Sequence, residues 1–170
     1  MLDGKLNASG QSLESVAEAP LVLLRDYWRA AAAGRPWLPN AELRPERFAQ
    51  ALEHIAIVER VASPRQGHRI RLCGSDIENK DFGIVRGAFL EDARPDWYRD
   101  HLVGEVSRAI DGGAPIYQSV EATIDRRTFT FARLILPLAS GAGVCDMVLV
   151  ATVRPSNQIV TAMRARLALA

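Results

Sequence analysis

Residues 128–153 decide the fold class of this chain. They read Thr-Phe-Thr-Phe-Ala-Arg-Leu-Ile-Leu-Pro-Leu, then Ala-Ser-Gly-Ala-Gly, then Val-Cys-Asp-Met-Val-Leu-Val-Ala-Thr-Val. Two long apolar runs rich in β-forming residues flank a short break that contains two glycines, which predicts a β-hairpin. The hairpin closes a pattern of two strands, a helical middle and three strands. This order is more typical of a sensory module than of an enzyme.

Composition and charge exclude several classes of protein. The 170 residues suit one domain with helical extensions, and 48% hydrophobic with 24% charged residues is ordinary for a globular chain. The net charge of +1 gives no general attraction to nucleic acid, and we find no recognition motif for it. We see no signal peptide and no apolar run near the roughly 20 residues of a membrane helix. We therefore expect a cytoplasmic protein with no membrane or nucleic-acid partner.

Apolar spacing predicts the elements upstream of the hairpin. A helix begins at Pro20 and ends near Gly34, and a second helix covers residues 96–110. Three glycines between residues 74 and 92 favour brief helical turns there. Alternating apolar residues predict strands at about 54–61, 69–73 and 116–124.

These elements divide the chain into four expected segments. They are a flexible N-terminus (1–18), a helical extension (19–53), the sheet domain (54–154) and a C-terminal tail of weak helical character (155–170). The helix of the extension carries an apolar stripe, which either packs on its own sheet or pairs with the same helix of a second copy. Its candidate dimer-interface residues are Leu21, Leu24 and Trp28.

Several motifs resemble a known family. They are Leu24-Arg-Asp-Tyr-Trp-Arg, Gly34-Arg-Pro-Trp-Leu-Pro, Arg69-Ile-Arg-Leu-Cys-Gly-Ser, Gly113-Ala-Pro-Ile and Leu134-Ile-Leu-Pro-Leu. In order and spacing they resemble small bacterial stand-alone PAS-domain proteins, in which a Tyr-Trp helix and a Gly-Arg-x-x-Pro connection precede the first strand. The resemblance runs from about Leu21 to Val153.

The resemblance implies an α+β fold. We expect a PAS-like five-stranded antiparallel sheet with helices packed on one face, plus the N-terminal helical extension. PAS domains hold a ligand or cofactor between sheet and helices and contact partners through the sheet or flanking helices. The resemblance implies no particular ligand or cofactor and no catalytic residue.

Apolar residues on the presumed inward faces are the candidate ligand-binding residues, although core packing alone would produce the same pattern. They are Ile57, Ile70, Leu72, Val106, Ile116, Met147 and Leu149. His101 lies in the helix that carries the iron ligand in haem-binding PAS proteins. The three histidines lack the spacing of a metal site. Cys73 and Cys145 could form a redox pair only if the fold brought their strands close together.

The sequence favours a sensory or regulatory module over an enzyme. It would act in bacterial signal transduction as a homodimer that binds a small apolar molecule, a signalling-protein partner, or both. One alternative is a ligand-free dimerisation scaffold. The other is a small cone-shaped α+β enzyme of the ketosteroid-isomerase kind, which would need an acid or base in its cavity. The candidates for that group are Glu59, Glu121 and Asp146. The ligand, the partner, the dimer geometry and the inward face of the fourth core strand stay open at this stage.

Overall fold

The computed structural model describes residues 4–124, 126–141 and 143–153. The predicted C-terminal tail lies outside these residues. The described α-helices are α1 (Ala19–Ala32) and α2 (Asp96–Gly112). The strands are β1 (Gly4–Gln11), β2 (Leu38–Pro39), β3 (Ile55–Val61), β4 (Gly67–Cys73), β5 (Ile116–Ile124), β6 (Arg127–Ala139) and β7 (Met147–Val153). Short 3-10 segments cover Leu13–Ser15, Asn40–Glu42, Pro45–His54, Lys80–Phe82 and Leu90–Asp92.

All of the described strands belong to one open sheet. Its order is β1-β5-β6-β7-β3-β4, and every pair along this path is antiparallel. The short strand β2 pairs in parallel with β6, off the main path. This arrangement confirms the predicted α+β class and adds β1 and β2 to the five expected strands. The first and last strands of the expected core, β3 and β7, lie side by side.

The predicted hairpin is confirmed as β6 and β7. Their register pairs Arg133 with Thr152 and Leu134 with Ala151. In the connection, the backbone N–H of Ser140 donates to Asp146 Oδ1 at 2.7 Å, and the Ser140 hydroxyl also bonds to this carboxylate. Asp146 therefore has a structural role in the turn that joins the two strands.

Strand β1 differs from the expected flexible N-terminus. It pairs along its whole length with β5, from Gly4 opposite Ile124 to Gln11 opposite Tyr117. Most of its side chains are small, polar and exposed, so the sequence carries no apolar alternation there. Its backbone hydrogen bonds to β5 hold it instead, aided by Leu6 against the core. A Cβ atom at Gly4 would overlap the ring of Trp97, which explains glycine at that position.

Both faces of the central sheet are buried. The α2 face lies under α2 and the turns of residues 80–92, and it includes Val58, Val120, Ile135 and Val148. The α1 face lies under α1 and the Pro45–His54 segment, and it includes Ile55, Leu134, Leu136 and Leu149. Continuous apolar runs such as 134–138 follow from this, because strands covered on two sides need apolar residues at successive positions.

The apolar stripe of α1 packs on its own sheet. Leu21 and Leu24 are fully buried and Trp28 is 7% exposed, all within the α1-face cluster. The indole Nε1 of Trp28 also donates to the backbone carbonyl of Pro137 at 3.0 Å. The sequence allowed this stripe either to pack on its own sheet or to pair with the same helix of a second copy. In the structure, it packs on its own sheet. The three candidate dimer-interface residues are therefore not exposed in the protomer.

A β-bulge redirects the side chains of β4. Ile57 pairs with Leu72 and Val58 pairs with Ile70, so Arg71 is the additional residue. Ile70 consequently lies on the α2 face and Leu72 packs against the α1 face. Simple alternation would place Ile70 and Leu72 on the same side, which is why the sequence pattern could not separate them.

We predict that Leu24→Ala lowers the free energy of unfolding by about 2–5 kcal/mol, because it leaves a cavity in a fully buried site. Urea denaturation followed by circular dichroism measures this loss. A charged variant, Leu24→Lys, should aggregate or unfold. Ala30→Lys, on the exposed side of the same helix, is the control and should stay folded. A folded monomer from Leu24→Lys and a dimer from the wild type would contradict this role of α1.

Candidate functional site

A cavity of about 60 Å³ lies between the α2 face of the sheet and the helical segments above it. Its walls are mainly apolar and come from β3, β4, β6, β7, α2 and the turns of residues 77–90. Polar groups of Tyr98, Glu105, Arg133 and Thr152 also line it. A mostly apolar cavity with a few converging polar groups is the usual form of a small-molecule site.

The structure divides the seven candidate ligand-binding residues between the two faces. Ile70 and Val106 line the cavity, and Ile116 packs against the same cluster outside the cavity lining. The other four belong to the α1-face cluster or pack against it; they are Ile57, Leu72, Met147 and Leu149. Alternation did not identify the side of the sheet that holds the cavity, because both sides are apolar.

Arg133 is the most unusual group in the cavity wall. It lies in β6 between Phe131 and Ile135 on the α2 face, and it is only 4% exposed. Its Nη1 donates to His101 Nε2 at 2.9 Å and to Gln118 Oε1 at 3.3 Å. The signal in the sequence was the charge that interrupts the apolar alternation of this strand. The structure shows that this interruption is an inward-facing charge.

His101 is held in its neutral form. Arginine has no acceptor, so the imidazole Nε2 accepts the hydrogen bond from Arg133 and the ring proton lies on Nδ1. Burial, and then the positive charge of Arg133, lowers the pKa of His101 to about 4. Iron coordination through Nε2 would have to displace the hydrogen bond from Arg133.

A chain of polar contacts continues from Arg133 to the surface of α2. Gln118 is fully buried, and its Nε2 donates to Glu105 Oε2 at 2.7 Å. Arg108 Nη2 donates to the same oxygen at 2.7 Å. Burial raises the pKa of Glu105, but the hydrogen bonds from Arg108 and Gln118 outweigh this and lower it. The chain therefore ties β5 and β6 to α2 beside the cavity.

Thr152 is the cross-strand neighbour of Arg133 and also lines the cavity. It is 5% exposed, so a polar side chain lies beside Arg133 in an otherwise mainly apolar wall.

The three candidate acids of the enzyme hypothesis lie away from the cavity lining. Glu59 is on the α1 side of β3 and is bound by Arg69 and Arg71, with Arg69 Nε 2.8 Å from its Oε1. Asp146 is held in the β6–β7 connection by Ser140, and Glu121 is exposed. Arg69 and Arg71 thus pair with a carboxylate that is only 6% exposed.

His68 fixes the roof of the cavity to the sheet. This residue is only 7% exposed. Its Nδ1 lies 2.6 Å from Glu91 Oε1, and its Nε2 lies 3.2 Å from the Ser107 hydroxyl in α2. Burial raises the pKa of Glu91, but hydrogen bonds from His68 outweigh this and lower it. One side chain therefore connects β4, the Leu90–Asp92 turn and α2.

His54 lies beside two carboxylates at the start of β3. Its Nδ1 is 2.9 Å from Asp76 Oδ2, and its Nε2 is 3.5 Å from Glu53 Oε1. The three groups could approach a common cation, a cluster that the spacing of the histidines alone did not reveal. Both carboxylates are exposed, as acidic surface groups commonly are.

The two cysteines do not form a redox pair. Cys73 is opposite Ala56 near the start of β3, whereas Met147, two residues beyond Cys145, is opposite Glu59 near its end. Ala56 and Glu59 are three residues apart on β3, which corresponds to about 10 Å along the strand. This separation exceeds the roughly 7 Å between Cα atoms that a disulfide allows. Burial, and then the nearby charge of Asp146, raises the pKa of the Cys145 thiol and disfavours its reactive thiolate.

Comparisons with known proteins return no match among protein-family models, curated proteins or solved structures. Within the described residues, no helix has the length and hydropathy that crossing a bilayer requires. The cavity and its polar groups are therefore the features from which a function can be inferred.

We predict that the protein loses stability as the pH falls from about 6.5 towards 4, because unfolded His101 binds a proton in this range and the folded form resists it. His101 is half-buried, so we discount the full linkage energy and expect a loss of about 1–2 kcal/mol. Urea denaturation at several pH values measures it.

The matched variant for this measurement is His101→Gln, whose amide oxygen still accepts from Arg133 but does not titrate. Other titrating groups contribute equally to both proteins, so the difference between their stability curves isolates His101. A difference that stays constant between pH 4 and 7 would show that His101 is not held neutral.

Proposed function

We propose that this chain is a cytoplasmic sensory or regulatory module of the PAS type, without enzymatic activity, which binds a small molecule in bacterial signal transduction. The observation that carries this proposal is the cavity between α2 and the sheet, which is apolar over most of its wall and has buried Arg133 among its lining residues. None of the three candidate catalytic acids lines this cavity.

The order of elements supports the same class. Strands β3 and β4, a helical middle that ends in α2, and strands β5 to β7 follow one another in the described chain. The five strands form one antiparallel sheet, and the cavity lies between that sheet and the helical middle. The sequence motifs resemble those of PAS-domain proteins, and PAS domains hold their ligands in this position.

The mechanism that we propose is a shift in population between packings of the helical middle on the sheet. A ligand can shift such an equilibrium only by its different affinity for the two states. Leu90 and Val106 line the cavity, and the His68 contacts join their segments to β4. A ligand that changes the packing of these segments would therefore alter the surface that they present to a signalling partner.

A homodimer remains a prediction of the proposed module. Because Leu21, Leu24 and Trp28 are buried in the protomer, we expect the dimer interface to lie outside the apolar stripe of α1. The ligand-free scaffold alternative depended on that stripe, so the structure favours the ligand-binding alternative over it.

We predict that native mass spectrometry of freshly purified protein shows a non-covalent mass above that of the denatured polypeptide. The cavity is the expected binding place, so excess mass should disappear on denaturation and identify the class of ligand. Protein at the bare polypeptide mass, both before and after incubation with bacterial small-molecule extract, would contradict a ligand-binding role.

A pair of variants tests whether the bound mass occupies this cavity. Ala56 lines it on β3, whereas Ala151 is fully buried on the other face of the sheet. Ala56→Val should fill space, leave stability within about 1 kcal/mol of the wild type and remove the excess mass. Ala151→Val adds the same methyl groups to a packed core, should cost about 1–3 kcal/mol and should leave the excess mass in place. The opposite pattern would place the ligand elsewhere.

A further inference from the structure

We propose that Ser107 is a nucleophile activated by His68 and Glu91, and that it accepts an acyl group from an ester or thioester with a good leaving group. The reaction modifies the chain once, leaves one acyl ester on Ser107 and involves no turnover. Covalent acylation therefore goes beyond the proposed binding of a small molecule and is compatible with a module that has no enzymatic activity.

The three side chains have the arrangement that activates a serine hydroxyl. The Ser107 oxygen lies 3.2 Å from His68 Nε2, and His68 Nδ1 lies 2.6 Å from Glu91 Oε1. A nucleophile within hydrogen-bond reach of a base, which a third group orients, is the structural signature of nucleophilic catalysis. Ser107 lies 39 positions and Glu91 lies 23 positions from His68 in the chain, so sequence spacing could not reveal the arrangement.

Glu91 fixes the position of the proton on the His68 ring. Its Oε2 accepts from the backbone N–H of His68 at 3.0 Å, and its Oε1 faces Nδ1. Burial raises the pKa of Glu91, but the hydrogen bonds from His68 outweigh this, so the group is a carboxylate at neutral pH and can only accept. The proton of the neutral imidazole therefore lies on Nδ1. Nε2 is then the acceptor for the hydroxyl proton of Ser107.

Gly67 provides the space in which the Glu91 carboxylate meets the backbone of β4. A Cβ atom at Gly67 would lie 2.9 Å from Glu91 Oε2 and 2.9 Å from the ring of Phe89. Real Cβ atoms essentially never come this close to a neighbour, so a larger residue at position 67 would displace the carboxylate. The glycine therefore belongs to the same arrangement as the three side chains.

The hydroxyl is accessible, whereas its base is shielded. Ser107 is partly exposed on α2, and His68 is only 7% exposed. An acyl donor can therefore reach the Ser107 oxygen from solvent more easily than it can reach the imidazole. Ser107 is not among the described residues that line the cavity, so this site is separate from the proposed ligand site.

The reaction balances without an oxidant or a reductant. The Ser107 oxygen forms a bond to the acyl carbon while its proton passes to His68 Nε2. The bond from the acyl carbon to the leaving oxygen or sulfur then breaks, and His68 gives the proton to that atom. The products are a free alcohol or thiol and an ester on Ser107, which has no proton to donate to His68. General-base catalysis of this kind contributes about 10²–10⁴-fold to the rate.

The test uses the full chain, p-nitrophenyl acetate as the acyl donor, and peptide mapping by mass spectrometry. Ser119 on β5 is the internal comparison, because it is also partly exposed and has no hydrogen bond to a histidine among the described residues. We expect acetylation of Ser107 to be at least about 100-fold faster than that of Ser119 in the folded chain. In concentrated urea, the two rates should agree within about threefold, because the base is no longer positioned. Equal rates in the folded chain would overturn the proposal, and this comparison needs no variant to fold.

A second reagent distinguishes the class of leaving group. S-phenyl thioacetate carries the same acetyl group on sulfur. Selective acetylation of Ser107 by either reagent supports the proposal, and the faster reagent identifies the donor as an ester or a thioester. Selective acetylation by neither reagent would overturn it.

Glu91→Gln tests the positioning role of the carboxylate. The amide can accept from the backbone N–H of His68 and donate to Nδ1, which moves the ring proton to Nε2. We expect acetylation of Ser107 to be at least about tenfold slower, and nitrogen NMR of the His68 ring to show the changed tautomer. A merely structural role of Glu91 would not change the tautomer. An unchanged rate in folded Glu91→Gln would overturn the proposal.

A pair of glycine variants displaces the carboxylate without removing any of the three groups. Gly67→Ala places a methyl group against Glu91 Oε2, so the flexible carboxylate should move and acetylation of Ser107 should be at least about tenfold slower. Gly10→Ala is the matched control, because a Cβ atom there meets nothing within 4 Å, and it should leave the rate unchanged. Circular dichroism checks that both variants are folded. An unchanged rate in folded Gly67→Ala would contradict the role of Glu91.

Discussion

Burial of the central sheet on both faces is the constraint on which the rest of this structure depends. The stripe of α1 covers one face, and Leu24 and Trp28 make that contact nearly free of solvent. The helical middle covers the other face, so the strands between must present apolar side chains in both directions. Strand β6 meets this requirement with five consecutive buried residues from Leu134 to Leu138.

The two faces are not packed in the same way. On the α1 face, a long amphipathic helix lies on large aliphatic side chains, and Trp28 adds a hydrogen bond to Pro137. On the α2 face, short 3-10 turns and one helix leave a cavity beside Arg133. Taking a charge out of water has an effective penalty on the order of several kcal/mol. The α2 face tolerates this penalty because a chain of polar partners, from His101 through Gln118 to Glu105, surrounds the charge of Arg133.

Much of the fold was predictable because it depends on local patterns. The β6–β7 hairpin, the strand from Ile116 to Ile124 and the helix that begins at Asp96 follow from alternation, helical spacing and glycine stops. The strand β1 was not predictable, since small polar residues specify it only through the backbone of β5. The bulge at Arg71 was equally hidden, because one additional residue changes the face of Leu72 without altering the apolar pattern.

The candidate site was harder to predict than the fold for a related physical reason. When both faces of a sheet are apolar, a residue such as Met147 satisfies every sequence criterion for a cavity wall and still packs under α1. Apolar residues therefore could not identify the functional face. The informative residue was Arg133, since a charge within a strand that is buried on both sides requires specific partners wherever it points. In a sheet that is buried on both faces, the position of such a charge says more about which face holds a cavity than the apolar residues around it do.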